Sequence, residues 1–429
     1  MNKEHPAPVH ASRVFAIQYS FPYTTAVEEK HELWAEVQRE RVSTQEPWRK
    51  ELSDAMPVHP QNIVEVLQRL AEPSYREYGT ASFIGDAMLS LGFRLDARSG
   101  QKPHETELVM AGKDSPKVYL RCDLDAISLG SGFYGHHCGH AVNMASMLTL
   151  ARRLKENGIE DVGFIFQPAE EGPGNAHDGY VHPKGFGGGQ YLRAKGIYHD
   201  APAIVSCHID TSLKDGEARI SEGFGTAAAY RFTYKSEGVS AHAALPWQGK
   251  NPLNAELDFR NDLMLLKRMF AWLPDGSYGH VEASRVETSP CELNSLAEHA
   301  TVTGISRIVG EYALGMFHKF METHDATIEL EAPPVVNDSG LVRIARESAA
   351  ALGLTVKPEA AKFRDETAWA GPISLPWADP SLYPPGAERI LHFFTSGGND
   401  AGALHGTFHP DEQSVERQVS ILYEIVKRI

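Results

Sequence analysis

A chain of 429 residues has room for two or three domains at roughly 150 residues each. Its 42% hydrophobic and 23% charged residues are those of an ordinary globular protein and exclude a disordered, collagen-like or fibrous chain. Its 41 basic and 56 acidic side chains give a net charge of −15, and it has no basic run and no stretch of about 18 apolar residues, so neither phosphate-driven nucleic-acid binding nor a membrane span is expected.

The first sixty residues read as an extension. Met1 to Tyr23 is broken by Pro6, Pro8, Arg13 and Pro22 and lacks the apolar core of a signal peptide. Glu28 to Glu40 is a charged helical stretch, and Trp34 and Trp48 are candidates for subunit contacts. Helices are predicted around Ile63, Val66, Leu67 and Leu70 and over Ser82 to Leu91, the second stopped by Gly92. Strands follow at Glu107–Gly112 and Lys117–Asp123, then a glycine-rich loop and a helix over Val142–Lys155. The runs Val162–Gln167 and Ala203–His208 are continuously apolar, as strands at the centre of a parallel sheet are. Near Gly216 the pattern changes to β-α-β-β-α-β: Tyr230–Lys235, Pro252–Phe270, Val281–Val286, Thr301–Val309, Glu311–His324 and Thr327–Glu331. Helical and strand patterns resume from Leu341. The expectation is a mixed, mostly parallel α/β sheet flanked by helices, with an inserted ferredoxin-like α+β domain. Its parts are a 1–60 extension, a catalytic domain of 61–215 with 335–429, and a lid and dimerisation domain of 216–334.

Cys122, Cys138, Cys207 and Cys291 lie far apart with no CxxC pair, which favours a reducing, cytoplasmic setting. The densest cluster of reactive side chains is Gly135-His-His-Cys-Gly-His140. It is either a surface histidine run with a buried cysteine or a transition-metal site, since thiolate and imidazole are good ligands. Gln167-Pro-Ala-Glu-Glu171 places two carboxylates at the end of a predicted inner strand, where open α/β sheets bind ligands. One can bind a metal while the other takes a proton from its water. Arg121-Cys-Asp-Leu-Asp125, His208, and His405 with His409 add metal-type residues at further strand and loop ends.

Taken together, Arg121-Cys-Asp-Leu-Asp-Ala126, His136-His-Cys-Gly-His-Ala141, Phe166-Gln-Pro-Ala-Glu-Glu-Gly172, His208, Gly238-Val-Ser-Ala-His-Ala-Ala-Leu-Pro246 and Leu404-His405-Gly406 resemble one family. It is the aminoacylase and carboxypeptidase-G superfamily of metallopeptidases, in its hippurate hydrolase and auxin-conjugate amidohydrolase branch. The resemblance implies Cys138, His140, Glu171, His208 and His405 as metal ligands, Glu170 as general base, and Asp125 as an aspartate that orients a ligand. It implies that His242, as the lid histidine, reaches a neighbouring subunit's site, and that Asn294 and Arg307 hold the substrate's carboxylate or oxyanion. The cofactor implied is a divalent transition metal, Mn2+ or Zn2+, one or two per subunit. The partners implied are a small-molecule substrate and at least one further copy of the chain, joined through the lid.

The chain departs from the branch at Ala141, where an Asp is usual, at Asn143 and at Gly398-Asn399-Asp400-Ala401, and it adds a loop from about Asn175 to Gly187 with His177 and His182. Fewer carboxylates near the centre favour one metal over two. The reaction expected is hydrolytic replacement of C–N by C–O on a small carboxylated, aromatic substrate. The specific reading is deamination of an aryl amine such as 5-nitroanthranilate to the salicylate and ammonia. The alternatives are hydrolysis of N-acyl amino acids or aminobenzoyl-glutamate-like conjugates, and a non-catalytic ligand-binding relative.

Overall fold

In the computed structural model, residues 60–100, 105–130, 133–172, 187–199, 201–273, 277–360, 389–404, 406 and 408–429 are described. The N-terminal extension through residue 59, nearly all of the 175–187 loop with His177 and His182, and His405 lie outside the described residues.

The described chain opens with helices α1 (Pro60–Arg69) and α2 (Tyr78–Ser90). Gly92, at φ 81°, supplies the left-handed residue that ends α2. That helix starts before the Ser82 expected, because its first turn is built on the small buried residues Thr80 and Ala81, which give little apolar periodicity. Next come β1 (Arg94–Leu95), β2 (Leu108–Ala111) and β3 (Val118–Asp123). A hairpin of β4 (Ile127–Gly130) and β5 (Phe133–Gly135) occupies the glycine-rich stretch read as loop, and α3 (His140–Glu156) follows it. Then come β6 (Val162–Gln167), α4 (Gly188–Ala194), β7 (Ile204–Asp210), β8 (Glu217–Arg219) and β9 (Gly223–Phe224).

The second half contains β10 (Ala228–Glu237), α5 (Pro252–Phe270), β11 (Tyr278–Thr288), β12 (His299–Val309), α6 (Glu311–Thr323) and β13 (Thr327–Ala332). The described chain finishes with β14 (Val336–Asn337), α7 (Ser339–Ala351), β15 (Thr355–Lys357), β16 (Ile390–Ser396) and α8 (Ser414–Arg428).

The large sheet has eight strands in the order β1-β2-β6-β3-β7-β16-β8-β15. Its middle, β6-β3-β7-β16, is parallel, while β2 runs against β6 and β8 against β16. Every residue of those four middle strands is buried, the burial expected of parallel strands covered on both faces. Helix α3 is buried almost all round, His140 to Ala151, which marks it as an internal helix of this layer. Because the four middle strands run the same way, the residues after β3 and β6 and those late in β7 and β16 gather at one end of the sheet.

The smaller sheet is antiparallel with the order β11-β12-β10-β13. Numbered by appearance, its strands stand 2-3-1-4, the ferredoxin-like arrangement that the β-α-β-β-α-β pattern implies. Phe259, Leu263 and Phe270 of α5 and Leu314 and Phe317 of α6 share a core with Tyr230 and Phe232 of β10. Pro252 opens α5, and the Asn251 side chain accepts from Leu253 N at 3.1 Å to cap it. The change of pattern at Gly216 precedes β8, which pairs in the large sheet; the small sheet itself begins at Ala228.

Candidate metal centre

The centre is assembled from segments that follow or end the middle strands. Gly139, at φ 99°, stands between Cys138 and the first residue of α3, His140. A Cβ there would meet Ile209 at 3.4 Å and His208 at 3.5 Å, ordinary contact distances, so it is the left-handed backbone of the turn that calls for glycine. The turn buries both Cys138 and His140. His140 Nδ1 donates to the Asp125 carbonyl at 2.8 Å, and His208 Nδ1 donates to the Ile209 carbonyl at 2.8 Å. A carbonyl can only accept, so in the neutral rings each Nε2 carries its lone pair, the form that binds metal. The two imidazoles meet edge to face with centroids 5.5 Å apart.

The carboxylates come from the turn after β6. Ala169 has φ 49°, unusual for a residue with a side chain, and Glu170 and Glu171 follow it. Glu170 Oε2 stands 3.6 Å from His140 Nε2. Buried Asp125 accepts the Glu170 amide on Oδ1 at 3.1 Å and the Glu171 amide on Oδ2 at 3.0 Å. Ser74 Oγ donates to the same Oδ2 at 2.8 Å.

Two groups of donors share His140: His140 with Glu170 and Glu171, and His140 with His136 and Cys138. Within each group the candidate atoms lie within 4.8 Å of one another. Burial, and then the Glu171 carboxylate, push the Cys138 thiol well above its ordinary range. Burial, with His140 beside it, pushes His136 down to about 3, which keeps that ring neutral. A buried thiol, neutral imidazoles and neighbouring carboxylates fit a divalent cation, which favours the thiolate and offsets the repulsion among the acids. The donor set therefore suits the metal that the sequence motifs imply.

The structure brings Cys138, His140, Glu170, Glu171, Asp125 and His208 to this end of the sheet. His405 is outside the described residues, but its neighbour Gly406 offers its carbonyl to His137 Nδ1 at 2.8 Å. The candidates of the smaller sheet's segment stand elsewhere. His242 and Asn294 are exposed on adjacent turns, joined by the Ala243 amide donating to the Asn294 carbonyl at 2.7 Å and by a bridge between His242 and Ser295. Arg307 lies on β12 opposite Ala229 and His280. His242 belongs to neither of the two donor groups around His140.

Sequence reasoning did not select His136, Ser74, Thr106 or Glu77. His136 had a signal, since it lies in the same His-His-Cys-Gly-His run. Glu77 had none. It is fully buried beside the centre, and burial together with the Asp125 charge pushes its carboxyl up to about 8. At the departures from the family pattern, Ala141 is buried with no donor to offer, and Asn143 Oδ1 accepts from Gln418 of α8 at 2.8 Å.

A parallel-centred α/β sheet with a ferredoxin-like insertion, carrying Cys, His and Glu at the strand ends, defines the zinc-peptidase class of architecture. The model of peptidase family M20/M25/M40 matches residues 120–370, and the chain belongs to that family. It is 25% identical to an N-acetyl-L-cysteine deacetylase of Bacillus subtilis over 85% of this chain and 86% of that protein. A thermostable carboxypeptidase of Saccharolobus solfataricus is also 25% identical, but the match spans about half of that relative's length, 52%, and 46% of this chain. A solved Bacillus subtilis structure described as a dinuclear metal-binding peptidase of the M20 family has a TM-score of 0.62 at 19% identity, covering 86% of this chain and 96% of that one.

Proposed function

We propose that the protein is a metal-dependent hydrolase that cleaves the amide bond of a small N-acyl amino acid or an aminobenzoyl-glutamate-like conjugate. The observation that carries this reading is Glu170 Oε2 at 3.6 Å from His140 Nε2, inside a donor group completed by Glu171. Its similarity to a deacetylase of an N-acetyl amino acid over most of both chains supports the amide as the bond broken.

In this reading Cys138, His140, Glu171, His208 and His405 hold the cation. When bound, such a cation lowers the pKa of its water toward about 7 and polarises a carbonyl oxygen. Glu170 takes the proton of the attacking water and then gives it to the departing nitrogen. Asp125 keeps Glu170 and Glu171 in place through their amides and orients His140 through its own carbonyl. His242, Asn294 and Arg307 hold the substrate's carboxylate and the developing oxyanion. The segment that carries the smaller sheet, Ala228–Ala332, acts as the lid and joins subunits, so that His242 serves a neighbour's site. The metal is Mn2+ or Zn2+. One tightly held ion per chain is favoured, because Ala141 offers no ligand and Asn143 is engaged by Gln418. Two tightly held ions per purified chain would overturn that count.

The same departures keep a second reading, in which the substrate is an aryl amine such as 5-nitroanthranilate and ammonia leaves the ring. A panel of N-acyl amino acids, aminobenzoyl-glutamate and nitroanthranilate, assayed for released amine and for free ammonia with manganese and zinc compared, separates the two. Amide turnover is the expected result. Ammonia release from the aryl amine, with every amide left intact, would replace the first reading by the second.

A further inference from the structure

We infer that Glu77 positions the general base, by holding the backbone of Ala169 in the turn that presents Glu170. The inference rests on the assignment of Glu170 as that base.

Three successive amides leave this turn, and each ends on a buried carboxylate from elsewhere in the chain. Ala169 N donates to Glu77 Oε1 at 2.8 Å, Glu170 N to Asp125 Oδ1 at 3.1 Å and Glu171 N to Asp125 Oδ2 at 3.0 Å. Asp125 fixes the second and third. Glu77 fixes the first, and the residue before it, Pro168, has no N–H to offer. Ala169 has φ 49°, a conformation that a residue with a Cβ keeps only when its surroundings enforce it. Glu77 and Ala169 are both fully buried, so water is not at hand to replace the carboxylate. The Glu77 carboxyl is itself fixed: Oε1 also accepts Tyr75 N at 3.0 Å, and Oε2 meets Thr106 Oγ1. Removing the acceptor would leave a buried N–H unpaired at the one strained residue of the turn, and the backbone would relax away from φ 49°. Glu170 is the next residue, so its carboxylate would shift against His140 Nε2. A displacement of about 1 Å is enough to cost on the order of a hundredfold in rate.

The Glu77 carboxyl hydrogen-bonds Tyr75 N, Thr106 Oγ1 and Ala169 N, and Glu77 is a member of neither metal-type group. The test compares Glu77→Gln and Glu77→Ala in the full-length, metal-loaded protein, beside Glu170→Gln. Gln keeps Oε1 for both amides and turns an N–H toward Thr106 Oγ1, so its kcat should stay within about twofold of wild type. Ala should lower kcat roughly 10- to 100-fold, with KM and bound metal within about twofold of wild type. Hydrogen exchange at the amides of 169–171 should quicken about tenfold or more in the Ala variant and stay unchanged in the Gln variant. If the Ala variant does not fold, Glu77→Asp, whose shorter carboxylate falls short of Ala169 N, should show the same loss of protection. Wild-type exchange at 169–171 in the Ala or Asp variant would overturn the inference, as would equal loss of kcat in the Gln and Ala variants. If Glu170→Gln keeps wild-type turnover, or no amide or aryl amine is turned over, the proposed chemistry fails on its own. The exchange measurement still judges Glu77.

Discussion

The end of the large sheet and the turns of the smaller one are built to opposite rules. Around His140 the key groups are buried and held by backbone: His140 by the Asp125 carbonyl, His208 by Ile209, and the Glu170 and Glu171 amides by Asp125. Beside the smaller sheet, His242 and Asn294 are exposed, and the Ala244 amide donates to His242 Nδ1 at 3.1 Å within the same turn. The first region is organised before any ligand arrives. The second, in the proposed function, is completed by a substrate or a neighbouring subunit. The comparison teaches that chemistry should be lost by changing side chains in the first region, and assembly-dependent steps by changing those in the second.

The largest effect expected is from Glu170→Gln. In the proposed assignment it removes the proton acceptor and leaves the five ligands in place, so kcat should fall by roughly 10² to 10⁴ while metal content measured by elemental analysis stays the same. Next is His242→Ala, expected to cost about 10² to 10³ in kcat if it supplies a donor to the oxyanion. Mixing that variant with Glu170→Gln sharpens the contrast. If His242 acts across subunits, reassembled hybrids regain up to about a quarter of the sites; if it acts within its own chain, the mixture stays inactive. A smaller loss is expected for Asp125→Asn. Its NH2 would face one of the two amides that the carboxylate accepts, and metal affinity measured by competition with a chelator should weaken about 10- to 100-fold.

The remaining effect is on stability rather than on rate. The Glu77 carboxyl, pushed up to about 8, holds a proton in the folded protein that the unfolded chain gives up near its ordinary value of 4.5. Between those values the native state binds more protons, so stability falls as the pH rises from about 4.5 to about 8 and the loss is complete above that. The drop is on the order of a few kcal/mol, and Glu77→Gln should remove that part of the slope in denaturant titrations across the range.

How much of this was legible before the fold is clear from particular residues. Cys138-Gly139-His140 and Glu170-Glu171 are contiguous and sit next to apolar strands, so their chemistry and their place at strand ends could be read together. The bounds of β6 and α5 followed from an unbroken apolar run and from a 3.6-residue period opened by proline. Strand β16, at the centre of the sheet, was not singled out, because Ile390–Ser396 carries His392, Thr395 and Ser396 among its apolar residues. The two- and three-residue strands β1, β8 and β15 were missed because such lengths hold no period.

Local patterns of residues thus determined the elements, the family motifs and the kind of ligand set. They depend on neighbours one turn or one strand away, and the sequence carries those directly. Tertiary structure alone decided which charged residues are buried and what they hold. Glu77 sits in an ordinary polar stretch, Arg76-Glu77-Tyr78, and becomes the anchor of Ala169 only because residues 92 positions apart are packed together. Burial of a carboxylate depends on everything that surrounds it, and its local sequence contains too little of that to show it.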